Sequence, residues 1–85
     1  MRPLGVGLLA DKPLYTLALL REAKRLTQSK VAEASGIRQG DVSKLEHKET
    51  LDDVQVSTLR KYAAALGGEV QLVVVIDGRR YVLTG

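Results

Sequence analysis

The chain has no cysteine and a single histidine in its 85 residues. Without cysteine there are no disulfides and no thiolate metal sites, and His47 alone cannot assemble a metal site. Its place in a polar stretch reads as a solvated turn. Long apolar runs are missing as well. The longest, Leu17 to Leu20 and Leu72 to Ile76, fall far short of a membrane span, and nothing has the make-up of a signal peptide, so the expected setting is the cytoplasm. No glycine loop of the phosphate-cradling kind is present, and the chain is too short for a core that walls a cavity. Nucleophile, base and metal therefore have nothing to assemble around, and neither a cofactor nor catalysis is expected. Eighty-five residues make one domain, at a size where oligomerisation often adds stability.

Charge is present in both signs, with a modest net of +3. Its distribution says more than its sum. Residues 1–30 hold six bases (Arg2, Lys12, Arg21, Lys24, Arg25 and Lys30) against two acids (Asp11 and Glu22), a local +4. Lys24, Arg25 and Lys30 cluster where a helix beginning near Gln28 would present its first N–H groups to an anion.

Helical signals fill the middle of the chain. Residues 1–12 read as an arm with Gly5 and Gly7 between apolar residues. Asp11 reads as the cap, and Pro13 as the opening, of a first helix running through Leu14 to Leu20 to about Arg25. Its apolar surface is too wide for one stripe, so burial of most of it is expected. A polar loop covers Lys48 to Val56, and Ser57 is the expected cap of a helix ending at Leu66, with Gly67 as its stop.

Between them, Gln28, Ala32, Gly36, Ile37, Val42 and Leu45 stand at the spacings of two short helices crossing through a tight turn, a unit by which small proteins place a helix in DNA. The first would run Thr27 to Ala34, with Ala32 as the small residue under its partner. Gly36 supplies a left-handed turn. The second, Gln39 to Glu46, turns Val42 and Leu45 inward and leaves Arg38, Gln39, Ser43 and Lys44 outside. Thr27-Gln28, Ala32, Gly36 and Ser43-Lys44-Leu45-Glu46, with the closing segment Ser57 to Gly67, resemble the Xre family of lambda-repressor-like helix-turn-helix proteins. The resemblance covers about Leu17 to Gly67. Two positions depart from it: Arg38 stands where Ser or Thr usually caps the second helix, and Gly40 costs roughly 1 kcal/mol of helix propensity in its first turn. Asp41 adds a carboxylate near the expected phosphates, although it also suits the positive end of the helix dipole.

After Gly67-Gly68 the period becomes that of strands. Val70 to Ile76 is rich in β-branched residues, Asp77-Gly78 is a strong two-residue hairpin signal, and Arg79 to Leu83 can return. This turn pairs Ile76 with Arg79, Val74 with Tyr81 and Leu72 with Leu83, and sets Val73 with Val82 and Val75 with Arg80 on the other surface. Both surfaces are mainly apolar. A lone hairpin of this kind is unstable in water, so a homodimer joined through Leu72, Val73, Val74, Val75, Tyr81 and Val82 is expected, against a monomer in which the helices and the arm cover the two faces. The expected architecture is mainly α: four to five helices in a lambda-repressor-like helix-turn-helix domain over residues 13–67, an arm over 1–12, and a dimerising β-segment over 68–85.

A helix-turn-helix core followed by a β-segment is similar to the antitoxins of bacterial toxin–antitoxin operons, of the HigA and HipB kinds. That resemblance implies a repressor of its own operon with double-stranded DNA, a second copy and a cognate toxin as partners. A two-fold dimer reads half-sites about 34 Å apart, so the operator should be an inverted repeat. A stand-alone repressor, or a protein-interaction module that has lost DNA binding, remains the alternative. The expected DNA contacts are Gln39 to adenine, Arg38 to guanine or phosphate, Ser43 and Lys44 at the groove edge, Gln28 clamping a phosphate, Gly40 allowing close approach, and Lys24 and Lys30 flanking.

Overall fold

The computed structural model describes residues 14–84. Among them, four helices precede a hairpin in the order α1 (Leu17–Ala23), α2 (Gln28–Ser35), α3 (Gln39–Glu46), α4 (Val56–Ala65), β1 (Leu72–Ile76) and β2 (Arg79–Leu83). The mainly α class with a C-terminal hairpin is the expected one. The arm over residues 1–12 and the proposed Asp11–Pro13 helix start lie outside the described residues.

Two threonines set the first helix starts. Thr16 Oγ1 accepts from Leu19 N at 3.1 Å, and Thr27 Oγ1 accepts from Lys30 N at 3.1 Å. Each satisfies a donor that the first turn leaves without an intrahelical partner. The expected run of α1 through Leu14 is thereby corrected, since Leu14 and Tyr15 precede the cap and are not helical. The end is corrected too. Arg25 has φ 59°, Arg25 N donates to Glu22 O at 2.9 Å and Leu26 N to Arg21 O at 3.2 Å, a left-handed stop that closes α1 before Arg25. Glycine does the same work after α2 and α4, at Gly36 (φ 78°) and Gly67 (φ 82°). Ser57 is not the cap of α4. Thr58 N and Leu59 N both donate to Gln55 O, so the helix begins at Val56, and no side chain caps it.

The core is small. Val31, Val42, Leu45 and Tyr62 are buried, with Leu17, Leu26, Ala32, Ile37, Val54, Ala65 and Leu66 packed around them. α2 is its hub, lying against both α3 and α4. Burial of most of α1 is not observed: it has no buried residue, and Leu19 is 50% exposed. A two-turn helix offers only one stripe to the body, and here that stripe is headed by Leu17. Leu20 and Ala23 instead line an open apolar groove with Ala63 of α4 and Leu66 just after it.

The hairpin has the expected register: Leu72 opposite Leu83, Val73 opposite Val82, Val74 opposite Tyr81, Val75 opposite Arg80 and Ile76 opposite Arg79. Asp77 (φ 51°) and Gly78 (φ 81°) are both left-handed, the conformation whose twist matches paired strands. β1 and β2 pack on each other and make no comparable contact with any helix. The monomer alternative, in which the helices and the arm cover the two faces, finds no comparable helix contact among the described residues, and the arm lies outside them. Val75 and Val82 are each 60% exposed.

Candidate nucleic-acid interface

α2 and α3 are joined by three residues, Gly36 to Arg38. Gly36 N closes on Ala32 O at 3.0 Å, and Ile37 N donates to Ser35 Oγ at 3.1 Å, so the turn is fixed from both sides. Ile37 packs against the core and forces the chain to reverse there. α3 then buries Val42 and Leu45, while Arg38, Gln39, Gly40 and Lys44 are exposed and Ser43 is half-buried. The result is a polar helix face backed by apolar anchors.

A buried polar clasp closes on the last residue of α3, Glu46. The Glu46 side chain is only 2% exposed and Arg21 only 13%. Arg21 donates twice, from Nε to Glu46 Oε2 at 2.7 Å and from Nη2 to Oε1 at 3.1 Å. Gln28 Nε2 donates to Oε1 at 3.0 Å, and the Tyr62 hydroxyl donates to Oε2 at 2.6 Å. Arg21 Nη1 reaches Leu26 O at 2.8 Å. Tyr62 Oη also lies 3.0 Å from Leu17 O, but its one proton serves the charged oxygen best. All four helices among the described residues thus meet at one carboxylate.

Burial would push the Glu46 carboxyl up, yet hydrogen bonds from Arg21, Tyr62 and Gln28 outweigh it and hold the group at about 2. Arg21 is raised above its usual value, chiefly by its hydrogen bond to Glu46. Burial, and then the neighbouring carboxylate, push the Tyr62 hydroxyl up, so it remains a donor. At neutral pH the clasp is an ion pair with no net charge.

Residues 11–75 match the family described as helix-turn-helix domain. The chain belongs to that helix-turn-helix family. It is 42% identical over 69 residues to the putative antitoxin HigA2 of Mycobacterium tuberculosis, covering 81% of this chain and 67% of that one. Two solved structures align with a TM-score of 0.75 at 35% identity. One is a HigA antitoxin described as inducing DNA bending by unique dimerization, over 86% of this chain and 94% of that one. The other is a DNA-bound antitoxin HigA3, over 87% and 95%.

α3 is the second helix of this helix-turn-helix, and Arg38, at its N-cap, precedes Gln39, Gly40, Ser43 and Lys44 in its first two turns. Lys30, on α2, is exposed and stands 3.8 Å from Glu33. Lys24, the last cap of α1, is also exposed. Gln28 differs from the rest, being half-buried with its amide committed to Glu46. That leaves its second amide N–H for another acceptor. Arg21 sits in the clasp, so one of the six bases counted toward the local positive charge is neutralised internally.

Sequence reasoning missed the clasp. Arg21 follows Leu17 by four positions and Glu46 follows Val42 by four, so each lies on the stripe of a core residue. Opposite charges at buried positions of two helices were the available signal. Among the described residues no group of His, Cys, Asp or Glu could hold a metal, and no helix is long and apolar enough to cross a membrane.

Proposed function

We propose that the protein is a dimeric, sequence-specific DNA-binding repressor: the antitoxin of a toxin–antitoxin operon, which silences its own promoter and binds the toxin encoded beside it. It acts in the cytoplasm, on the nucleoid when DNA-bound, as a regulator rather than an enzyme. The carrying observation is the exposed polar face of α3, anchored from behind by Val42, Leu45 and the Glu46 clasp. Kinship with HigA antitoxins, one of them bound to DNA, supports the reading.

In this reading Gln39 pairs with adenine in the major groove, Arg38 reaches a base edge, and Ser43 and Lys44 meet the groove wall. Gly40 lets the backbone approach; a Cβ there would meet nothing within 4 Å of the protein itself. Gln28 holds a phosphate with its second amide N–H, beside the first N–H groups of α2, while Lys24 and Lys30 add flanking charge. The apolar residues Leu72, Val73, Val74, Val75, Tyr81 and Val82 join two copies, which places two α3 helices on half-sites about 34 Å apart.

Footprinting on the protein's own upstream DNA tests this directly. Two protected half-sites in inverted orientation are expected, and Gln39→Ala should weaken specific binding by roughly 1–3 kcal/mol while relaxing one position per half-site. Gln28→Ala should weaken binding to all sequences alike. Equal losses by both variants on operator and random duplex would overturn these roles. Co-purification with the product of the adjacent gene tests the toxin. If no neighbouring product binds, the protein is a stand-alone repressor.

A further inference from the structure

The start of α3 gives up a side-chain cap. Arg38 occupies the N-cap position and makes no cap hydrogen bond, an omission that weakens a helix start. Its guanidinium is engaged elsewhere: Nε donates to Asp41 Oδ2 at 3.2 Å, across the first turn of the same helix. The Arg38 side chain is nevertheless 89% exposed, and Asp41 is 46% exposed. Of the five N–H donors of the guanidinium, the bond to Asp41 takes one at the Nε edge. The two Nη groups form the fork that matches O6 and N7 of guanine. With the side chain this exposed, the fork is open to a partner.

We propose that Arg38 and Asp41 act as one guanine-reading unit, with Arg38 as the specificity-determining contact and Asp41 as the positioning residue that holds its guanidinium edge-on. The inference rests on the DNA-binding reading above. A flexible cation at a recognition helix meets phosphate as readily as base. The Asp41 carboxylate changes both sides of that competition: it fixes the direction of the fork, and it cancels the charge that would draw the side chain to phosphates. The pair therefore contributes base discrimination rather than bulk affinity. Its value to the fold is small, because an exposed ion pair one helical turn apart adds little stability. An aspartate present only for the helix dipole would be indifferent to Arg38.

The test is a double-mutant cycle read out on DNA. The full chain, Asp41→Ala, Arg38→Ala and the double variant are titrated with duplex from the protein's own upstream region, with versions in which each base pair is replaced singly, and with random duplex. The expected result is a G·C preference at one position of each half-site that falls about tenfold in either single variant and no further in the double. Asp41→Ala should bind random duplex at least as tightly as the unmodified protein, since a negative charge near phosphate is gone. Three results would overturn the unit: a preference untouched by Asp41→Ala, one eroded evenly at all positions, or one lost equally when Arg38 is already alanine. An unmodified protein that does not prefer its upstream DNA to random duplex overturns the DNA-binding reading and this inference with it. Operator preference without any Arg38-dependent guanine position overturns the inference alone.

Discussion

Two satellites flank the α2–α3–α4 body, and they are attached in opposite ways. α1 contributes Leu17 to the core but is fastened by directional polar contacts, Arg21 to Glu46 and to Leu26 O, with the Tyr62 hydroxyl beside Leu17 O. The hairpin is paired strand to strand and displays valine, isoleucine and leucine on both surfaces without comparable contact to a helix. A buried ion network admits one geometry, because a misplaced partner leaves charge without solvation. Apolar surface carries no such instruction and accepts whatever covers it. The clasp therefore ties α1, α2 and α4 to the end of α3, while the hairpin leaves its apolar surfaces open.

The largest way to break this contrast is Glu46→Ala, which leaves the Arg21 guanidinium inside without its carboxylate and the Tyr62 hydroxyl with only the Leu17 carbonyl. Loss of a buried partner costs about 3–5 kcal/mol. For a small domain that approaches the whole stability, so urea unfolding should show a collapsed midpoint. Retention of the midpoint within experimental scatter would mean that α1 is held by packing instead.

Acid probes the same clasp. The folded Glu46 carboxyl sits at about 2 rather than its ordinary 4.5, so its stabilisation is complete above the ordinary value and is lost as pH falls toward 2. The shift corresponds to roughly 3 kcal/mol at most. The raised Tyr62 hydroxyl acts at the other end: its contribution is complete below its ordinary 10.0 and fades as pH rises beyond it. Melting curves taken between pH 6 and pH 2 should show the acid loss in the unmodified protein and not in a Glu46→Gln variant.

A smaller effect is expected at the seam. Val82→Lys, in the exposed hairpin, should weaken self-association by roughly 1.5–3 kcal/mol while leaving helical content unchanged at low concentration. Sedimentation across a dilution series would show this, and an unmodified chain that stays monomeric throughout would remove the seam. The smallest change is expected at Arg25→Gly. It relieves the left-handed φ of 59° but loosens the unfolded chain, for a net gain of up to about 1 kcal/mol in thermal unfolding. A loss of stability there would mean that the Arg25 side chain makes a contact worth more than the strain.

Legibility followed the same divide. The bounds of α3, the left-handed Gly36 and Gly67, and the hairpin register about Asp77-Gly78 were all readable, because each rests on a local rule of backbone conformation. The start of α1 was not, since Pro13 and the apolar run from Leu14 suggest an earlier opening, and only the hydrogen bond from Leu19 N marks Thr16 as the cap. Ser57 misled for a similar reason: the helix it was expected to cap already begins on the Gln55 carbonyl. The clasp was hidden because Arg21, Gln28 and Glu46 have the composition of a solvated surface. What buries them is tertiary packing around Tyr62. Within the candidate interface, the exposure of Arg38, Gln39 and Lys44 followed from helical period alone, whereas Ser43, read as outside, is half-buried. The pairing of Arg38 with Asp41 did not.

The most direct test of the account is equilibrium binding of the purified protein to its own upstream DNA, with random duplex as competitor, over a salt series. The account predicts tight, competitor-resistant binding with a steep salt slope and two protomers per site. Weak binding, equal to that of random duplex at every salt concentration, would contradict it and leave a protein partner as the reason for the exposed face of α3.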